Sequence, residues 1–176
     1  MFGIKYCLFF FISYFFKLKK NKMKKFLLIA LFIVIMIVII LQFFKPDIQN
    51  PSEDSKKFIT SHLQMPNDVL NQLEKSCFDC HSFRTKWPWY SNISPVVYLI
   101  NSDVQEGREH LNFSEWGDYS KSDMMEMLED IEKEVMDGEM PLGIYLPLHP
   151  EAKLSDESKK MFVEWAKKSG EQILNK

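Results

Sequence analysis

Apolar positions fall first into one nearly unbroken run and then into spaced sets. From Phe26 to Phe44 only Gln42 interrupts them, a length that crosses a hydrocarbon core as a helix. Val69, Leu70 and Leu73 then recur at helical spacing after Pro66 and lead straight into Cys77. Ser94-Pro95 reads as a cap with proline at the first helical position, and Val96 to Val104 continue a brief helix that fades by Gly107. From about Ser122, residues Met124, Met127, Leu128, Ile131 and Val135 line one face with Asp and Glu opposite, and Gly138 closes the helix. Pro141, Gly143, Pro147 and Pro150 predict a loop between Gly138 and Leu154. Ser155 caps a last helix with Asp156 and Glu157 in its first turn and Met161, Phe162, Trp165 and Ile173 on its apolar face. No segment alternates at the period of a strand. The expected class is all-α, a small helical domain behind an N-terminal transmembrane helix.

This pattern divides the chain into a short apolar segment with a basic flank (1–25), an anchor (26–44), a linker (45–57) and a domain (58–176). The earlier apolar run from Tyr6 to Phe16 is too short to span comfortably, and Met23-Lys24-Lys25 reads as a natural start, so residues 1–22 are either an over-extended start or the first arm of a helical hairpin. Lys17, Lys19, Lys20, Lys22, Lys24 and Lys25 precede the anchor and Lys45 alone follows it closely, which places everything beyond Phe44 on the outer side, the periplasmic side of an inner membrane. Neither an Ala-x-Ala pattern nor a lipid-accepting Cys ends the run, so the anchor is expected to be retained. Pro46, Pro51, Ser52, Glu53, Asp54 and Ser55 give the linker the composition of a tether.

Charge follows the same division. All 24 Asp and Glu lie beyond Phe44 with 15 of the 22 Lys and Arg, a net of −9 on that part. Such a surface is unsuited to nucleic acid and suited to a basic redox-protein partner, which complementary charge helps it to meet.

Cys77-Phe78-Asp79-Cys80-His81 is a C-x-x-C-H signature. On a helical turn, positions i and i+3 share a face, so both thiols can form thioether bonds along one porphyrin edge while the i+4 imidazole follows on that face. The expected cofactor is a single covalent haem c, with His81 as the iron ligand. Other readings of the motif are a disulfide or thiol redox pair, and a zinc site completed from His62, His110 or His149. For the sixth position Met140, in the proline-rich loop, leads as a second metal ligand, with His149 of the same loop as the alternative. Met124, Met127 and Met161 sit on apolar helix faces and read as core, and Met65-Pro66 would have to fold back. Trp87, with Trp89, Tyr90, Phe83 and Trp116, is expected to wall the haem, and Arg108, ahead of Arg84, to meet a propionate.

Beyond the pentapeptide, the chain from roughly Met65 to Trp165 resembles the bacterial haem-binding domain family of small exported or membrane-anchored proteins. The resemblance is carried by Ser76-Cys-Phe-Asp-Cys-His-Ser82, Trp87-Pro-Trp-Tyr-Ser91, Gly107-Arg-Glu-His-Leu-Asn-Phe-Ser-Glu-Trp116, Met140-Pro141 and Tyr145 through His149-Pro-Glu-Ala-Lys-Leu154. Met140-Pro141-Leu142 has Leu where similar proteins often carry a second proline. The resemblance implies haem attachment at Cys77 and Cys80, ligation by His81 and a cytochrome-c-like helical fold. Electron transfer is the expected function, which requires no catalytic residue. An open distal face would instead permit peroxide reduction or haem-based sensing.

Overall fold

The computed structural model describes residues 22–175. Six α-helices occur among them: α1 (Lys22–Leu41), α2 (Asn67–Ser76), α3 (Phe78–His81), α4 (Val96–His110), α5 (Lys121–Asp137) and α6 (Asp156–Leu174). Short 3-10 turns lie at Ile59–Ser61, Trp89–Asn92, Phe113–Asp118 and Pro150–Ala152, and the described residues contain no strand. The Tyr6 to Phe16 run and the reading of residues 1–22 as an extended start lie outside the described residues, Lys22 excepted.

The chain divides into two units, one of residues up to Lys45 with Ile93–Pro95, the other of Pro46–Asn92 and Val96–Lys176. In the first, α1 has 20 residues, none of them buried, and is long and apolar enough to cross a membrane. At 1.5 Å per residue that is about 30 Å. Ser94 does not cap α4 as the sequence predicts. Its hydroxyl donates to the Leu41 carbonyl at 2.9 Å, and Pro95 stays in the turn, so α4 starts one residue later.

The helical domain follows its local signals closely. Ser120 opens α5 with a reciprocal capping box to Asp123, and Gly138 ends it in the left-handed region at φ 78°, where a side chain would be strained. Ser155 caps α6 by accepting the Ser158 amide. α5 packs along α6, burying Leu128 and Val135 in one core with Phe162, Trp165 and Ile173. That core continues through Phe58, Ile59, Phe78, Phe113 and Trp116. Each such side chain contributes about 1.5–3 kcal/mol of burial.

Two further expectations change. α4 does not fade at Gly107 but runs to His110, because Gly107 is buried where α4 meets α3 and packing outweighs its low helix propensity. The stretch that reads as a tether is docked from Asn50 onward. Glu53 takes a two-oxygen ion pair from Arg84, its closest contact being 2.6 Å, and also accepts the Ser114 hydroxyl. Asn50 donates to the Thr85 carbonyl at 2.8 Å. These short polar side chains find distant partners, which local composition cannot reveal.

Candidate haem site

Cys77 closes α2 and opens α3. Its amide donates to the Leu73 carbonyl at 2.9 Å, while its own carbonyl accepts the amides of Cys80 at 3.2 Å and His81 at 2.9 Å. The signature is therefore a single helical turn with its two cysteines at i and i+3 and the histidine at i+4. Phe78, between them, is fully buried and packs edge-on against Phe58, with ring centroids 5.5 Å apart, and against Phe113 at 5.3 Å. One aromatic anchor thus fixes the turn to the core and leaves Cys77, Cys80 and His81 partly buried.

Both cysteines are free thiols. Desolvation, with Cys80 nearby, pushes Cys77 up to about 12. Burial and then Asp79 and Asp103 push Cys80 up to about 11 against the opposing pull of Arg108. Thiol redox pairs work through a depressed pKa, so this environment is the reverse of theirs.

His81 is oriented by the main chain at the C-terminal end of α4. Its Nδ1 lies 2.8 Å from the Gly107 carbonyl and 3.1 Å from that of Leu111. A carbonyl only accepts, so Nδ1 carries the proton and the neutral ring keeps its lone pair on Nε2. Burial lowers the imidazole's pKa, against the two carbonyls, which favours that neutral form. Gly107 makes the approach possible. A Cβ there would stand 3.0 Å from the Cys80 carbonyl oxygen and 3.2 Å from the Cys80 Cβ, too close to a fixed helix turn.

The variable residue Asp79 uses both carboxylate oxygens. Oδ1 accepts the Lys86 amide at 2.9 Å and Oδ2 the Tyr145 hydroxyl at 2.7 Å. The Tyr145 ring stacks on His149 at 4.0 Å and 6°. Tyr145 titrates well above the usual phenol range, from burial and then from its bond to Asp79. His149 places Nε2 2.6 Å from the Tyr90 hydroxyl and Nδ1 3.3 Å from a Glu151 carboxylate oxygen. The carboxylate requires a proton on Nδ1, so Nε2 accepts from Tyr90 and the lone pair is engaged.

The remaining predicted residues make contacts of their own. Met140 is partly buried, its amide donating to the Glu134 carbonyl at 3.2 Å, and its thioether makes no hydrogen bond to the signature turn. Trp87 donates to Asn50 Oδ1 at 3.2 Å. Arg108 braces the loop after the motif, with Nε donating to the Ser82 carbonyl at 2.9 Å and Nη2 to Thr85 Oγ1 at 2.9 Å and Asn50 Oδ1 at 3.0 Å. The aromatics do not form one wall. Trp116 is fully buried in the core beside Phe113, Trp89 is 78% exposed, and Phe83 lies under the Arg108 guanidinium.

The donor set fits a haem: two thiols a turn apart, an imidazole tied at one nitrogen and, among the described residues, unpartnered at the other, and an aromatic anchor beneath. A family model described as a haem-binding domain matches residues 36–168, more than half of the chain. The chain belongs to this haem-binding domain family. No curated protein matches it, and no solved structure does. Haem is thus the cofactor of this haem-binding domain. Sequence reasoning missed Gly107, Asp79 and Tyr145 as parts of the site. Gly107 and Tyr145 lie within the stretches that carry the family resemblance, and Asp79 within the signature itself, so their positions were visible but not their partners.

Proposed function

We propose that this haem-binding domain carries one covalently attached haem c and transfers electrons on the outer side of the membrane. Each thiol, of Cys77 and of Cys80, adds across one vinyl group, its sulfur bonding one carbon and a proton completing the other. His81 would hold the iron through Nε2 and Met140 through its thioether. When bound, the haem supplies a one-electron couple. The observation that carries this reading is the double carbonyl contact at His81 Nδ1, since metal-ligating histidines are held by such a partner on their other nitrogen.

The same logic favours Met140 over His149 as distal ligand, because His149 already has both ring nitrogens engaged by Tyr90 and Glu151. A Met ligand raises the potential and fills the distal face. The lysine bias ahead of Phe26 supports an outward-facing domain, and the net acidity beyond Phe44 supports a basic protein partner.

The test is the absorption spectrum, oxidised and reduced, of the full chain made in a host competent for cytochrome maturation. Colour that survives denaturing electrophoresis, with a low-spin spectrum, is expected. Haem extracted by acidified organic solvent overturns the covalent link. An open high-spin site with rapid peroxide turnover overturns the carrier reading in favour of an enzyme.

A further inference from the structure

The loop between Glu139 and His149 has no fully buried residue. Ile144 is 75% exposed, Leu148 is 65% exposed, and a Cβ at Gly143 would meet nothing within 4 Å. Hydrogen bonds hold it instead. At its start the amides of Glu139 and Met140 donate to the Glu134 carbonyl, and at its end His149 meets Tyr90. Among the described residues, its one hydrogen bond to the attachment turn is Tyr145 Oη to Asp79 Oδ2, 2.7 Å. The acceptor is itself fixed, because the Lys86 amide holds the other carboxylate oxygen at 2.9 Å and Thr85 Oγ1 donates to the Asp79 carbonyl at 2.7 Å. Tyr145 therefore meets a carboxylate that the post-motif loop has already oriented, and hydrogen bonds to ionised acceptors are the stronger kind.

We infer that the Asp79–Tyr145 hydrogen bond is the latch that holds the Met140 loop in its ligating position, making the second variable residue of C-x-x-C-H a positioning residue. This rests on the proposal that Met140 is the distal ligand. Its chemical logic is economy: the turn that carries the proximal ligand also orients the loop that carries the distal one. Neither Asp79 nor Tyr145 touches iron. Both act on the equilibrium between a closed loop and one whose ligand has swung away.

Full-length Tyr145→Phe, Asp79→Asn and the double variant test this, with added imidazole as a competing distal ligand. Tyr145→Phe should keep full covalent haem content yet admit imidazole about ten- to a hundredfold faster, the factor expected from losing one charge-assisted hydrogen bond. Amide exchange in residues 142–149 should rise with it. The double variant should be no faster than Tyr145→Phe alone, since Asp79→Asn acts only through the contact that Tyr145→Phe already removes. Tyr145→Phe that is fully loaded and exchanges imidazole at the wild-type rate overturns the latch. Should that variant fail to fold, near-isosteric Asp79→Asn, which replaces the charged acceptor by a neutral amide, should show a smaller acceleration in the same direction. A wild-type chain that is high-spin from the outset overturns distal ligation and the latch together, whereas a low-spin wild type with unaffected variants overturns the latch alone.

Discussion

The two sides of the site are built from different materials. On the side of the histidine, His81 is held by main-chain carbonyls in and just after α4 and the turn beneath it is fixed by Phe78 in the core. On the side we propose as distal, a non-helical loop is held beyond its first residues by side chains, Tyr145 on Asp79 and His149 on Tyr90. Carbonyls of a packed helix cannot be removed by substitution, whereas a hydroxyl can. The proximal half should therefore respond to change in all-or-none fashion and the distal half by degrees.

The largest effect belongs to the proximal half. His81→Ala should abolish the low-spin spectrum, and Cys77→Ala with Cys80→Ala should leave haem that no longer stays with the denatured chain, read by haem staining of a denaturing gel. Retained haem staining in the double cysteine variant would remove the difference between the halves at its root. Next comes Met140→Ala, which should lose the low-spin form while keeping the haem, whereas His149→Ala should keep that form. The reverse pair of spectra would mean that His149 gives up Tyr90 for iron and that the loop rearranges on loading.

How far the sequence foretold these halves depends on where each signal resides. α2, α5 and α6 were legible because cap, period and stop agree locally: Ser120 with Asp123 opens α5, Leu128 and Val135 share its buried face, and Gly138 ends it. Gly107 misled because glycine is a helix stop by propensity, yet here it is the one residue that lets α4 reach Cys80. Asn50 and Glu53 read as tether because their partners, Thr85 and Arg84, lie far along the chain. Trp116 and Trp89 are alike in composition and opposite in burial, a difference only tertiary packing decides. The helical geometry of the signature turn was legible, being one turn of local structure. The distal loop was legible as a loop and nothing more.

Gly107→Ala ranks third. The added methyl must displace the Cys80 main chain, an overpacking that costs about 1–3 kcal/mol. It also lengthens the Gly107 contact to His81, so denaturant stability and the haem spectrum should move together. Stability lost with an unchanged spectrum would show that Leu111 alone suffices to orient the ring.

Ser120→Ala is the smallest change and the cleanest control. The capping box satisfies two orphan amides at the start of α5, in the hairpin with α6, and removing it costs about 1 kcal/mol. That loss lowers the thermal midpoint by a few degrees. Because α5 leads through Gly138 to Met140, a cap that mattered only to the hairpin should leave ligand exchange untouched. Faster imidazole entry in this variant would instead mean that α5 itself holds the distal loop, and that the division between a rigid proximal half and a latched distal one is drawn in the wrong place.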